Sequence, residues 1–184
     1  YDRSIAAAAA LPGLTQVLAL INQVPDTHMP MLSLGLFLTA CSAFETTIDI
    51  GLMKELGISS RHAEILTSSL NYKAKSTALC SLLQEKPEIA AQVIPLIQKY
   101  DSTAKRNAII HSHVFVDPTK NTISFSSGRA SVKYRATLHT FTAAELNEHA
   151  RLVSGLGEEI QKILEIPEDL YHQFTAIRFA EAIT

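Results

Sequence analysis

The residues best suited to chemistry stand together in Lys105-Arg106-Asn107-Ala108-Ile109-Ile110-His111. An imidazole exchanges protons near neutral pH, so His111 suits the task of taking a proton from an attacking hydroxyl or giving one to a departing oxygen. A guanidinium keeps its charge and forks onto two phosphate oxygens, so Arg106 suits the charge that builds on a pentacoordinate phosphorus. Asn107 places a carboxamide beside them. On a straight helix, residues five apart diverge by roughly 140°, whereas residues four apart, as Asn107 and His111 are, share a face. Arg106 must therefore reach round the helix, or act on a phosphate held between two copies of the chain. A two-fold dimer would bring two histidines and two arginines to one cleft.

The charge distribution agrees with an anionic ligand at this place. The whole chain of 184 residues has a formal net charge of −2, which argues against a protein that coats nucleic acid nonspecifically through many Lys and Arg contacts. Between Lys99 and Arg135, however, seven basic residues (Lys99, Lys105, Arg106, Lys120, Arg129, Lys133, Arg135) face two acidic ones (Asp101, Asp117), a local balance of +5 against −7 for the remainder. An anion should meet the protein here. His113, Lys133 and Arg135, on the segment that follows the motif, join Lys105 as expected substrate contacts.

The elements that must position these residues are mostly helical. Ile5 to Val24, broken at Pro12-Gly13, reads as a short helix and a second one from Leu14, and Pro25 to Pro30 as a loop. From Met31 to Leu56 apolar residues occupy all sides of the helical wheel in the first half, the pattern of a central buried helix, which Gly57 ends. Ser59 or Ser60 caps the next helix, where Leu66, Leu70, Ala74, Ala78 and Leu82 recur every four residues. Pro87 suits a first helical position and Pro95 predicts a break or kink. Leu96, Tyr100, Ala104 and Ala108 then carry a helix up to His111.

Beyond the motif the period changes to two. Val114 and Val116, a turn at 117–121, Ile123 and Phe125, then Val132, Tyr134, Ala136 and Leu138 alternate with polar residues, as strands with one buried face do, leaving Lys133 and Arg135 on the other face. Thr142 and Glu145 form a capping box with Phe141 and Leu146 as its hydrophobic staple. Leu146, Ala150, Val153, Ile160 and Leu164 make the core stripe of the helix that follows, and Pro167 opens a last one through Phe174 and Ile177. The expected architecture is a single mainly α domain over 1–184, a helical bundle with its core at about 31–164 and a β-hairpin or three-stranded meander inserted at about 113–138.

Arg106-Asn107-xxx-His111, in this setting, resembles the ribonuclease motif of the HEPN family, and the resemblance runs from about Met31 to Leu164. It implies an antiparallel helical bundle and metal-independent cleavage of single-stranded RNA. In that reaction the ribose 2′-hydroxyl attacks the neighbouring phosphate and leaves a 2′,3′-cyclic phosphate and a 5′-hydroxyl. It further implies a cytoplasmic homodimer with a composite active site, no cofactor, and a role in toxin–antitoxin or antiviral defence beside an antitoxin or regulatory protein. On this chain His111 would be the acid–base residue, Arg106 the ligand of the phosphate and transition state, and Asn107 the positioning residue. Some members of the family have no nuclease activity.

Other readings of the same residues compete. Arg106 and His111 also suit a solvated helix end, where a histidine favours the macrodipole. His111 and His113 would share a face on a strand, but no Cys or carboxylate at ligand spacing joins them, so no metal is expected. Glu45, four residues before Asp49 on the central helix, would orient His111 or Arg106 from a neighbouring helix, or mark a stripe that has emerged to solvent. Lys73 and Lys75 read as solvated helix residues. The two cysteines, Cys41 and Cys80, each lie in an apolar helical pattern and fit a reducing compartment. The apolar run Met29 to Phe44 is short for a bilayer span of about 20 residues, so no membrane partner is expected. Leu38-Thr39-Ala40-Cys41 looks like a lipoprotein cleavage signal but lacks upstream basic residues. The rival to an endoribonuclease is a non-catalytic helical module that binds a protein partner or a nucleotide, and a purely structural dimerisation module comes third.

Overall fold

The computed structural model describes residues 28–103, 109, 112–129, 135–171 and 174, with the backbone alone at 127–129 and 135–137. The elements are α1 (Met29–Leu56), α2 (Ser60–Thr67), α3 (Tyr72–Leu83), α4 (Pro87–Thr103), β1 (His113–Asp117), β2 (Thr122–Arg129), β3 (Arg135–Thr142) and α5 (Ala143–Ile163). The chain is thus mostly helical with one small antiparallel sheet. The expectations for 1–27, for Ala104, Ala108, Val132 and Tyr134, and for Ile177 lie outside the described residues.

α1 is the central helix that its all-round apolar sequence predicts. Leu34, Phe37, Cys41, Phe44, Ile48 and Leu52 enter the main core, while Ile50 and Met53 pack on a second side with Ala63 and Phe174. A helix covered on two sides cannot be amphipathic, which is why its sequence shows no polar face. It begins earlier than expected, with Pro30 in its first turn, where a missing N–H costs nothing. At Gly57 it ends in a left-handed residue (φ 63°) whose N–H reaches Lys54 and Met53 carbonyls, a conformation that disfavours any residue with a β-carbon. Among the described helices α1 alone is long and apolar enough to cross a bilayer. Here it is a core helix.

The single helix expected after Ser59 is two. α2 ends at Thr67 and α3 starts afresh at Asn71, whose side chain accepts from the Ala74 N–H. Leu66 and Leu70, expected in the core stripe, are exposed, and the residues that do enter the core from α3 are Leu79 and Leu83. The Asn71 cap satisfies a backbone donor that a continuous helix would have bonded internally. α4 runs without interruption through Pro95, which lies exposed, and its buried stripe is Ala90, Val93, Ile97 and Tyr100. Leu96 flanks that stripe.

Contacts along the helices set their directions. Phe37 meets His149, Phe44 lies against Gly157 and Thr47 accepts from Gln161, so α1 and α5 run the same way. Phe44 with Tyr72, and Asp49 with Lys75, show the same for α3. α4 runs against them, since Tyr100 stacks on Phe44 and Asp101 pairs with Lys73, while Lys86, just before α4, reaches Glu55. Helices consecutive in the chain, α3 to α4 and α4 to α5, therefore run antiparallel, while α1, α3 and α5 point the same way. The sheet between α4 and α5 lies at the end of the bundle where α1 starts and turns the chain from one helix into the other.

The sheet has the order β1-β2-β3, and β3 extends to Thr142, four residues past the expected limit of 138. Ile123 pairs with Phe141 and Phe125 with His139, which defines the face that packs on the bundle; Ile123 and Phe125 are fully buried. The phase of β3 is thus opposite to expectation at its described side chains. Leu138, expected inside, pairs with Ser126 and is 64% exposed. Val114 and Val116 do lie opposite Phe125 and Ile123, yet both remain exposed, because β1 is an edge strand that the helices do not cover. The capping box forms as expected, with Thr142 accepting from the Glu145 N–H and Glu145 accepting from the Thr142 N–H, and Phe141 and Leu146 are both buried as its staple.

Candidate active site at the end of α4

Arg106, Asn107 and His111, with Lys105 and Lys133, lie outside the described residues. The residues that flank them form a frame. α4 delivers the chain as far as Thr103, Ile109 belongs to the main hydrophobic core, the Ser112 N–H bonds back to the Ile109 carbonyl, and β1 begins at His113. The apolar residue inside the motif is thereby anchored, while the strand that follows it opens to solvent.

Just upstream, the last turns of α4 carry a polar and aromatic cluster. The Tyr100 ring stacks on Phe44 with centroids 3.9 Å apart and leans on Tyr72 at 5.1 Å. Such stacking fixes the rotation of α4 against α1 and α3. Asp101 accepts from Lys73 at 3.1 Å, a contact exposed enough to contribute little stability. The Tyr72 hydroxyl is pushed far above its usual value, first by burial, then by the Asp101 carboxylate and, more weakly, by Glu45. Burial also pushes the Cys80 thiol up, with Lys73 opposing and Asp101 adding to the shift.

Glu45 takes its place in this cluster. Its side chain is half-buried on α1 with Oε1 shielded from solvent, and its charge is felt at Tyr72. It has not emerged to solvent. Neither has Asp49, which is wholly buried and accepts from Lys75 at 2.9 Å, so Lys75 is not the solvated residue expected. Lys73 is solvated, yet its ammonium is held by Asp101.

Downstream, His113 is exposed on β1, opposite Ser126 and Leu138 in register, on the outward face of the sheet. Arg135 is the first residue of β3 and lies opposite Arg129. Lys120 is spent in part on Asp117, 3.4 Å away in the β1–β2 turn. Tyr72 and Asp101 are the residues that the sequence reading missed. Asp101, an acid one turn before the motif, was visible in the sequence as a residue, but its meeting with Tyr72 was not.

What the described residues can do is position and polarise. A buried tyrosine hydroxyl that resists ionisation is a hydrogen-bond donor, and two carboxylates beside it are acceptors for a guanidinium or imidazolium. Among the described residues no group of three His, Cys, Asp or Glu side chains is arranged to hold a metal ion. Comparison with models of protein families, with curated proteins and with solved structures finds no match to this chain.

Proposed function

We propose that the chain is a HEPN-like, metal-independent endoribonuclease of the cytoplasm, acting on single-stranded RNA as a dimer whose clefts lie at the subunit interface. The observation that carries this reading is the spacing of Arg106, Asn107 and His111 in the most basic stretch of the sequence, between a helix that ends at Thr103 and a surface strand that begins at His113. The acid–base cluster of Glu45, Tyr72 and Asp101 next to that helix end supports it, since a phosphate-binding guanidinium and a proton-shuttling imidazole both gain from carboxylates that orient them.

In the proposed reaction His111 removes the proton of a ribose 2′-hydroxyl, the oxygen attacks the adjacent phosphorus, and the bond to the 5′-oxygen of the next nucleotide breaks as that oxygen takes the proton from His111. Arg106 neutralises the charge on the equatorial oxygens, and Asn107 orients the phosphate. A 2′,3′-cyclic phosphate and a 5′-hydroxyl remain. A role in toxin–antitoxin or antiviral defence, with a regulatory protein, is part of this proposal.

The test is a panel of single-stranded RNAs incubated with purified protein in EDTA beside His111→Ala and Arg106→Ala. The expected result is cleavage to cyclic-phosphate ends that each substitution lowers by at least about 100-fold, the usual contribution of a general acid or base. RNA left intact by the wild-type protein across the panel would favour the module that binds a protein or nucleotide without turning it over. Activity that requires added metal would overturn the mechanism.

A further inference from the structure

An edge strand presents a row of unpaired N–H and C=O groups, and proteins commonly protect such edges with lysine, proline or a bulge. β1 has none of these between His113 and Val116. It is the outer strand of the sheet, and Val114, Phe115 and Val116 are 44%, 59% and 38% exposed, so the strand is bare on both faces. Three consecutive exposed apolar residues on an open edge call for a partner strand.

The strand is also its own complement. His113-Val114-Phe115-Val116-Asp117, read against itself in the antiparallel sense, sets Phe115 opposite Phe115, Val114 opposite Val116, and His113 opposite Asp117 at both ends. Aromatic and β-branched cross-strand pairs stabilise, and an imidazole N–H facing a carboxylate can donate to it. Alternation puts His113, Phe115 and Asp117 of each copy on one face and the valines on the other, so all five pairs match in side as well as in chemistry. β3, the other edge, offers no such match, since reading it backward sets Arg135 against Thr142. It is also bound through Thr142 to α5.

We propose that β1 is the seam of a homodimer, two copies pairing antiparallel about a two-fold axis at Phe115 to make one six-stranded sheet. The match at all five positions, with a His113 ring N–H as donor facing an Asp117 carboxylate as acceptor at each end, selects a second copy over an unrelated strand. Along the paired strands the two His113 residues stand about 13 Å apart, four residues at strand rise. Each motif precedes its own β1, so the seam brings to the start of that strand the partner's Asp117 and the partner's Lys120 rather than the partner's motif. This contribution to the cleft rests on the ribonuclease reading and departs from the two-motif cleft that the family resemblance implies. The seam itself rests on β1 alone.

Sedimentation velocity of the full chain, from about 1 to 100 μM, beside Phe115→Arg reads the association directly. Because Phe115 is exposed, its replacement should leave the circular dichroism unchanged. The wild-type chain is expected to dimerise, and Phe115→Arg, which sets two cations face to face, to weaken dimerisation by at least about 10-fold. Directly opposite residues have Cα atoms about 4.5–5.5 Å apart, within disulfide range. In a Cys80→Ser background Phe115→Cys should therefore cross-link to a covalent dimer under mild oxidant, while Leu138→Cys, equally exposed but two strands away, should not. A wild-type chain that stays monomeric at 100 μM overturns the seam, as does a dimer that neither Phe115→Arg nor Phe115→Cys affects. A monomer that loses RNA affinity on Phe115→Arg would assign the face to RNA instead. The mass is read without RNA, so the seam and the ribonuclease reading fail separately.

Discussion

Removing one member of a buried ion pair strands the other, and Asp49 with Lys75 is such a pair at the centre of the bundle. Lys75→Met is expected to cost about 3–5 kcal/mol in urea unfolding, and the double replacement with Asp49→Leu to recover most of it, because two apolar groups leave no uncompensated charge. A double variant no better than the single one would show that Asp49 answers to other partners. A second residue-scale outcome concerns Cys80, whose thiol is held above its usual range by burial. Its alkylation should lag that of a free cysteine near pH 8 and keep rising at pH values where the free thiol, with a pKa of about 8.5, has levelled off. Mass spectrometry of the modified peptide reads the profile. At this scale the sequence identified Glu45 as a residue to watch but misjudged its neighbours. Residues four apart share a helical face whether that face meets water or a buried lysine, so spacing alone could not separate a solvated stripe from Asp49 in the core. Tyr72 and Asp101 were missed because their meeting depends on α3 and α4 running antiparallel, a tertiary fact.

Elements with a local chemical cause were legible; those whose cause is tertiary were not. The capping box at Thr142 and Glu145 formed where expected because its two hydrogen bonds lie within four residues. Thr142→Ala should lower stability by about 1 kcal/mol by thermal or chemical unfolding. The Glu145 carboxyl is held below its usual value by the Thr142 N–H and hydroxyl. The stability it supplies is therefore complete above the ordinary carboxylate range, is lost as pH falls through the depressed folded value, and is missing at every pH in Glu145→Gln. An unfolding profile of that variant parallel to the wild type through the acid range would contradict the assignment. α1 was readable from the apolar residues on all sides of its first half and from the Gly57 that ends it. By contrast the four-residue recurrence from Leu66 to Leu82 gave one helix where there are two, because Asn71 caps α3 as readily as it continues a helix. In β3 the alternation through Leu138 chose the wrong face. Register with β2 fixes that face through Phe141 opposite Ile123, and two-residue alternation has no means of telling which of its phases is covered.

For the whole molecule, α1 is the axis on which α3, α4 and α5 are placed, and the sheet is the arm that carries the chain from the end of α4 back to the start of α5. That path sets the motif at a junction between a packed helix and an open strand, with the basic stretch spread over the junction and the hairpin. The helix directions alternate along the chain, and no sequence pattern shows which helices pack side by side. Stability and association separate at this scale: the core is complete within one chain, so substitutions on β1 should alter mass and leave the unfolding midpoint of the monomer within about 0.5 kcal/mol. Mainly α architecture with an inserted sheet was legible because period and capping are local. The geometry of the motif, which needs residues brought from several elements, was not.

In the proposed reaction a 2′-hydroxyl of the RNA is the nucleophile, and the protein supplies only proton transfer and charge. Cleavage in EDTA of an RNA with a single preferred site, compared with the same strand carrying one 2′-deoxynucleotide 5′ to that bond, tests it most directly. The account predicts a cyclic phosphate from the RNA and no cleavage at the substituted bond. Hydrolysis of the deoxy-substituted bond at a comparable rate would contradict it.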